Sequence, residues 1–178
     1  ELYIHIPFCV RKCAYCDFRS APAGREVQAQ YVDRLLEEIQ KAAPLAEDYE
    51  VVSAFFGGGT PSILPEEEIG RVMDLLHRQF DWKADAEVTI EANPGTVDGR
   101  KLDAYRSFGI NRISFGLQSA DNEELQKLGR IHTWEQFLKS YEAARTAGFT
   151  NINVDLMSAL PGQTRKSWQE TLRKVLVL

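Results

Sequence analysis

Residues 2–16 read LYIHIPFCVRKCAYC, an apolar run followed directly by three cysteines. The apolar, β-branched and aromatic residues Leu2–Ile6 predict a short β-strand. Cys9, Cys13 and Cys16 follow in a C-x3-C-x2-C loop, and three thiolates on so short a loop can reach three corners of one four-iron cluster. Because the chain has no fourth cysteine, one iron must stay open or take an outside ligand, as in a catalytic metal centre.

A zinc site is the alternative interpretation of the same loop, with His5 as the fourth ligand. His5 is close to Cys9 in sequence and is predicted to lie in the strand, which disfavours that arrangement. All three cysteines lie within eight residues, and an odd, clustered set is a poor framework for disulfides. The cysteine usage therefore favours an iron–sulfur cluster in a reducing cytoplasm.

Five short apolar runs predict strands, and each is followed by turn residues and a helical pattern: Leu2–Ile6, Val51–Phe56, Glu87–Ala92, Asn111–Phe115 and Asn151–Met157. This alternation is typical of βαβ units with a parallel sheet. Five units are too few for a closed eight-stranded barrel. We therefore predict an α/β fold, a partial (β/α) barrel with an open parallel sheet and outer helices. Residues 1–178 are expected to be one core domain, truncated after the fifth β/α unit of a longer protein.

The helices that follow the fourth and fifth strands have readable signals. Asp121-x-x-Glu124 resembles a capping box before a helix that stops at Gly129. A last helix is predicted to begin near Thr164. Its apolar face is expected to consist of Trp168, Leu172, Val175 and Leu176.

The composition narrows the range of functions. The chain has 178 residues, of which 44% are hydrophobic, and a net charge of −5. This is ordinary for a soluble globular protein and argues against a broad surface for nucleic acid or anionic membranes. No stretch approaches the ~18 consecutive apolar residues of a membrane span, and no signal-peptide pattern is present. We expect a cytoplasmic protein without nucleic-acid partners.

Glycines and polar residues follow the predicted strands. Three glycines at 57–59 remove side chains, so that backbone groups can approach a ligand closely, although a triglycine alone is more often a plain turn. Glu91 ends the third strand, where it is either a ligand-binding or a solvated carboxylate. Asp155 lies in an apolar strand, which is costly unless it is paired or serves a ligand. Gln118 and Arg130 complete the set of candidate ligand-binding residues. The alternative is that these residues form a structural polar network and bind no ligand.

Together these motifs resemble those of the radical-SAM superfamily, and in particular of the oxygen-independent coproporphyrinogen III oxidase (HemN-like) family. The resemblance extends from residue 3 to about residue 164 and rests on six motifs in order, YIHIPFC (3–9), GGGTP (57–61), EANPGT (91–96), RISFGLQ (112–118), GR (129–130) and DLM (155–157). It implies a [4Fe–4S] cluster on the three cysteines and S-adenosylmethionine (SAM) on the open iron. In that family the reduced cluster passes one electron to SAM, which breaks into methionine and a 5′-deoxyadenosyl radical.

The resemblance also implies which residues bind SAM. The glycine-rich segment is expected to bind its amino-acid end, and Glu91 its ribose hydroxyls. Gln118, Arg130 and Asp155 are expected to bind the same SAM or a second one. The complete expected set is Tyr3, Tyr15, Gly58, Gly59, Thr60, Glu91, Gln118, Arg130 and Asp155. His5 is shared by the family and its role stays open; no residue is assigned as catalytic.

One position distinguishes two branches of this family. Oxidases have a further cysteine two residues beyond the third, and this chain has Phe18 there. The stretches CAYCDF (13–18) and EANPGT (91–96) look like the HemW branch of haem chaperones. The resemblance thus implies the core of a chaperone that transfers haem to acceptor proteins, with an electron donor as a further partner.

Two alternatives to the chaperone stay open. One is an oxygen-independent oxidase that decarboxylates the propionates of coproporphyrinogen III in porphyrin biosynthesis. The other, more distant, is a radical-SAM methyltransferase. The haem motif of the chaperone branch would lie beyond Leu178, so any haem is expected to bind to the intact protein.

Overall fold

The computed structural model describes all 178 residues, and at least one helix separates each strand from the next. The elements are β1 Leu2–Ile6, α1 Arg25–Ala42, β2 Glu50–Gly58, α2 Glu66–Gln79, β3 Asp81–Ala92, α3 Gly99–Ser107, β4 Arg112–Gln118, α4 Asn122–Lys127, α5 Trp134–Thr146, β5 Asn151–Leu156 and α6 Arg165–Val175. All five strands are parallel and form one sheet in the order β1-β2-β3-β4-β5. The predicted open parallel sheet with outer helices is confirmed. None of the helices has the length and apolar character that a membrane crossing requires.

The sheet is covered by helices on one face only. Since each strand pairs with the next one in sequence and parallel crossovers are right-handed, the connecting helices lie on the same side. The helix-facing residues of β3 and β4, all at most 3% exposed, are Val88, Ile90, Ala92, Ile113, Phe115 and Leu117. They join one apolar core with α1, α2, α3 and α5. The other face of the sheet carries the site described below.

The third strand is longer than the apolar run predicts. β3 begins at Asp81 because its first residues pair with the start of β2, Asp81 opposite Glu50 and Trp82 opposite Val51. The register then shifts, so that Ser53 lies opposite Glu87. Backbone pairing needs no apolar side chains, which is why a polar segment can extend the strand beyond its hydrophobic pattern.

Two predictions about helices are wrong in part. Asp121 caps α4 by accepting from the backbone N–H groups of Glu123 and Glu124. The Glu124 carboxylate does not complete a capping box, since it accepts from the hydroxyls of Ser119 (2.6 Å) and Ser167 (2.7 Å). These tertiary partners replace the local one.

The predicted apolar face of the last helix is partly buried: Trp168, Leu172 and Val175 are half-buried, and Val175 packs against the core. α6 does begin after Thr164, which makes a capping box with Ser167. Its one buried residue is Thr171, and Leu176 is 81% exposed. The helix is also held by the Thr171 hydroxyl and the Lys174 ammonium, which bond to the backbone of Ala120, so polar and apolar contacts together fix its position.

Candidate functional site

The carboxyl ends of the strands open onto one cavity. Its lining consists of Cys9, Arg11, Lys12, Cys13, Tyr15, Cys16, Phe18, Ser20, Gly58, Gly59, Thr60, Glu91, Ala92, Asn93, Ser114, Gly116, Gln118, Arg130 and Asp155. Ligands of open parallel α/β sheets bind at this edge. Every expected site residue except Tyr3 lines the cavity, and the structure therefore brings together segments that are up to 146 positions apart in sequence, Cys9 and Asp155 being the outermost pair.

The cysteine loop is held in place by the protein backbone. The Cys9 N–H donates to the Ala21 carbonyl (3.2 Å), and the Ala14 N–H donates to the Leu128 carbonyl (3.1 Å). The Arg11 guanidinium adds a bond to the Gly129 carbonyl at 2.5 Å. Anchoring on both sides holds the three free thiols along one wall of the cavity.

The thiols do not converge on a single point. No three His, Cys, Asp or Glu side chains are grouped so as to hold one metal ion. His5 lies outside this cavity, with its Nδ1 3.3 Å from the Tyr3 hydroxyl and its Nε2 3.4 Å from the Arg19 carbonyl oxygen. A zinc site requires ligands around one ion, whereas an iron–sulfur cluster spreads thiolates over several irons. The donor set fits the cluster.

The glycines after β2 are required by packing as well as by ligand approach. Gly58 has φ of +116°, and a Cβ there would lie 2.8 Å from the His5 ring. A Cβ at Gly59 would overlap the carbonyl oxygen of Phe8. The segment is therefore packed closely against β1 and the start of the cysteine loop. It places Thr60, 3% exposed, in the cavity wall.

Glu91 is the acid of the site with the most perturbed ionisation. Its pKa is raised to about 7, mainly by burial and also by the charge of Asp155, while a bond from the Gly58 N–H lowers it in part. The Gly58 N–H lies 3.2 Å from Oε2. With one protein donor to a partly desolvated carboxylate, the remaining lone pairs are available to a ligand's hydroxyls.

The end of β4 shows local strain. Gln118 has φ of +74°, a region that residues other than glycine seldom adopt. The register between the strands shifts at this point, with Gly116 opposite Asp155 and Gln118 opposite Leu156. Such strain is concentrated at functional sites, which supports the assignment of Gln118 to this one.

Asp155 is hydrogen-bonded without a cationic partner. Its oxygens accept from the Ser114 hydroxyl (3.3 Å) and from Asn153 Nδ2 (2.7 Å). Asn153 also donates to the Ser114 oxygen at 2.9 Å. The acid in the apolar strand is thus satisfied by a small polar network, and it still lines the cavity.

Arg130 joins the cysteine loop to the sheet. Its Nη2 donates to Asn93 Oδ1 at 2.6 Å and to the Gly116 carbonyl. Its Nη1 lies 3.7 Å from the Cys13 sulfur, and its Nε is buried without a partner. None of these partners is a carboxylate, which leaves guanidinium donors for a ligand.

Asn93, Ser114 and Gly116 are among the lining residues that had no role in the sequence interpretation. They lie inside the quoted EANPGT and RISFGLQ motifs. The period-2 alternation of a strand places Ser114 and Gly116 on the face opposite Phe115. That alternation was the available signal for these two, whereas Asn93 lies beyond the strand.

Fold and site together define a partial α/β barrel with a three-cysteine loop at the carboxyl ends of its strands. The chain belongs to the Radical SAM superfamily, whose family model matches residues 3–175. Membership of this superfamily implies a [4Fe–4S] cluster and SAM as cofactors.

Two groups of relatives match over the whole chain. The "Heme chaperone HemW" of Escherichia coli (strain K12) is 41% identical over 179 residues, which cover 100% of this chain and 47% of the chaperone. The "Oxygen-independent coproporphyrinogen III oxidase" of Salmonella typhimurium is 40% identical over 180 residues, 100% of this chain and 39% of the oxidase. The chain thus spans about half the length of the chaperone and less of the oxidase.

A solved structure confirms the fold. The coproporphyrinogen III oxidase HemN from Escherichia coli, described as a radical SAM enzyme, superimposes with a TM-score of 0.91 at 38% identity. The match covers 98% of this chain and 40% of that enzyme. Identity alone does not separate the two groups of relatives.

Proposed function

We propose that this chain is the radical-SAM core domain of a cytoplasmic haem chaperone that transfers haem to acceptor proteins. The observation that carries the choice is Phe18. It lines the cavity with 65% of its surface exposed, at the place where the family resemblance puts a further cysteine in oxidases. A phenyl ring cannot act as a thiol, and it adds apolar surface beside the cysteine loop. Chaperone relatives at 37–41% identity are compatible with this choice, although identity by itself does not favour them over the oxidase.

The cofactor sites follow from the cavity lining. Cys9, Cys13 and Cys16 would hold the [4Fe–4S] cluster, and the segment at 58–60 would hold the amino-acid end of SAM. Together the two groups supply one-electron chemistry when bound. The surrounding protein binds and orients these two groups and keeps water out of the cavity. It also takes an electron from a donor protein.

The remaining polar residues would hold the rest of SAM. Glu91, partly buried with one protein donor, would accept hydrogen bonds from the ribose hydroxyls. Gln118, Arg130 and Asp155 would contact the same SAM or a second one. Tyr15 lines the cavity next to the thiols. Tyr3 lies outside the cavity lining and stacks on Phe55 at 6.1 Å, so a contact with SAM would require the ligand to extend down the sheet.

The second candidate function is the oxidase. It is favoured by the 40% identity to the Salmonella enzyme and by the superposition on HemN. In that case the intact protein would decarboxylate coproporphyrinogen III, and haem would be neither bound nor transferred. Both candidate functions use the same cofactor cavity. They are therefore distinguished only by whether the protein binds haem or forms the product of coproporphyrinogen III decarboxylation.

The deciding experiment compares haem binding with oxidase activity in the intact parent protein. We expect it to bind haem in a spectroscopic titration and to form no protoporphyrinogen, even with cluster, SAM and reductant supplied. Residues 1–178 alone should bind SAM and bind haem only weakly. The same two measurements are made on Phe18→Cys, which introduces the cysteine of the oxidases. Phe18→Tyr, which keeps the ring, is its matched control. Protoporphyrinogen formation by the wild type, at a rate that falls when the cluster is removed, would establish the oxidase instead.

A further inference from the structure

Asn93 lies immediately beyond β3, and its side-chain amide joins two separate walls of the cavity. Its Nδ2 donates to the Thr60 hydroxyl oxygen at 2.8 Å. Its Oδ1 accepts from Arg130 Nη2 at 2.6 Å. Thr60 follows β2 and Arg130 follows α4, so a single planar group connects the glycine-rich segment with the arginine that reaches the cysteine loop.

The amide determines how the Thr60 hydroxyl is used. Because Asn93 donates to this oxygen, the hydroxyl hydrogen stays free to donate to something else. The hydroxyl has no other partner in the protein, and the residue is 3% exposed in the cavity wall. Its remaining hydrogen is therefore available to an acceptor bound in the cavity.

The same amide orients Arg130 from its other end. Nη2 is held by Asn93 and the Gly116 carbonyl, and Nη1 lies 3.7 Å from the Cys13 sulfur. Nε is buried without any partner. A buried, unpaired donor is costly in a folded protein. This donor lies beside the cavity, where an anionic ligand would satisfy it.

The surrounding backbone is shaped around this bridge. A Cβ on Gly116 would lie 3.0 Å from Asn93 Oδ1 and 3.3 Å from Arg130 Nη2, so a side chain there would push the bridge aside by a few tenths of an ångström. The Asn93 N–H donates to the Ser62 hydroxyl at 3.4 Å, and its carbonyl accepts from the Thr96 hydroxyl at 2.6 Å. Hydrogen bonds thus hold the backbone of Asn93, and the missing side chain of Gly116 leaves room for its side-chain amide.

We propose that Asn93 is a positioning residue that sets the Thr60 hydroxyl and the Arg130 guanidinium in one geometry for the carboxylate of SAM. The inference rests on the proposed binding of SAM in this cavity and names the residue that couples its two sides. An aspartate would keep the acceptor for Arg130 and lose the donor to Thr60, and an alanine would lose both.

The test measures SAM affinity by anaerobic calorimetry on the reconstituted protein. We expect Asn93→Ala to weaken SAM binding about tenfold, because it removes the bond to the Thr60 hydroxyl and the bond from the charged Arg130 guanidinium, each of which orients a SAM-binding group. Thr60→Val should weaken binding less in the Asn93→Ala background than in the wild type, because the hydroxyl is then no longer oriented. Asn111→Ala is the matched control. Its amide bridges the Val88 N–H and the Ala86 carbonyl, away from the cavity lining, so it should change stability and leave SAM affinity unchanged.

Equal effects of the two asparagine variants on SAM affinity, or additive effects of Asn93→Ala and Thr60→Val, would overturn the proposal. If the wild type binds no SAM, the proposed function fails, and the bridge is then tested without cofactors. In the NMR spectrum of the cofactor-free protein, the Arg130 Nε–H should exchange slowly with water in the wild type and in Asn111→Ala, and rapidly in Asn93→Ala. A slow signal in Asn93→Ala would refute the bridge independently of SAM.

Discussion

The two faces of β4 differ in chemistry, although residues that follow each other along the strand lie on opposite faces. Phe115 is fully buried on the helix side and meets Phe137 edge-on at 5.9 Å between ring centroids. Its neighbour Ser114 faces the cavity and is bonded to Asp155 and Asn153. β3 repeats the pattern, with Ile90 in the core and Glu91 in the cavity.

The difference separates what makes the chain fold from what it binds. Parallel strands covered on both faces are usually apolar throughout. Here only the helix-facing positions are apolar. The other face has glycines, hydroxyls and carboxylates that a packed barrel core would exclude. The helix side therefore determines stability, and the cavity side determines ligand binding.

The largest expected effect belongs to the cysteines. Replacing Cys9, Cys13 or Cys16 by serine should abolish the cluster, because serine is a poor substitute for the thiolates that iron–sulfur clusters require. Iron and sulfide content after anaerobic reconstitution measure the loss. Cys13→Ser should unfold at the wild-type urea concentration, since the loop is anchored by backbone bonds. Full iron content in a variant, or stoichiometric zinc without iron uptake in the wild type, would contradict the assignment.

A core residue should show the opposite behaviour. Phe115→Ala leaves a cavity in the core and should lower the free energy of unfolding by about 3–5 kcal/mol. Ser114→Ala, one residue away, removes hydrogen bonds and should cost about 1 kcal/mol. Urea denaturation of the cofactor-free protein measures both changes. Equal losses would mean that the two faces do not divide stability from binding.

The third prediction concerns the carboxylate of Glu91. Glu91→Gln removes its charge, and hydrogen bonds to charged groups contribute roughly 1.5–3 kcal/mol, so SAM affinity should fall about tenfold or more while the fold is kept. Glu87→Gln is the matched control, because Glu87 lies on the same face of β3 and outside the cavity lining. Calorimetry with SAM measures the affinity. An unchanged affinity in Glu91→Gln would remove Glu91 from the site.

The sequence predicted those parts of the molecule that depend on neighbours along the chain. The cysteine spacing, the triglycine and the Glu91 strand end are local patterns, and the five parallel strands follow from repeated strand and helix signals. In the structure, the motif residues Cys16, Thr60, Glu91, Gln118 and Asp155 all line one cavity at the carboxyl ends of the strands.

Features that depend on register and burial could not be predicted in this way. The bridge from Asn93 spans 33 residues to Thr60 and 37 to Arg130, so only the sheet register reveals it. Glu124 had a local capping pattern, but its carboxylate bonds to Ser119 and Ser167 brought in by the tertiary fold. The raised pKa of Glu91 likewise results from burial that no local pattern specifies.

That raised pKa gives the smallest and last predicted effect, in the cofactor-free protein. The pKa of Glu91 is about 7 in the folded chain against an ordinary value of 4.5. Below the ordinary value the side chain is protonated whether the chain is folded or not, so burial adds no ionisation cost. As the pH rises toward 7, the unfolded chain releases this proton more readily than the folded one, and stability declines until both are ionised.

Glu91→Gln should therefore stabilise the cofactor-free protein at pH 8 by on the order of 1–2 kcal/mol, allowing for partial exposure, and the gain should vanish near pH 4.5. Urea denaturation at several pH values, with Glu87→Gln as the control, isolates the contribution of Glu91 from other titrating groups. The same substitution is expected to weaken SAM binding, so stability and binding would move in opposite directions at one position. A stability difference that does not change with pH would show that the Glu91 carboxylate is well solvated. It would then belong to the surface and not to a partly desolvated ligand site.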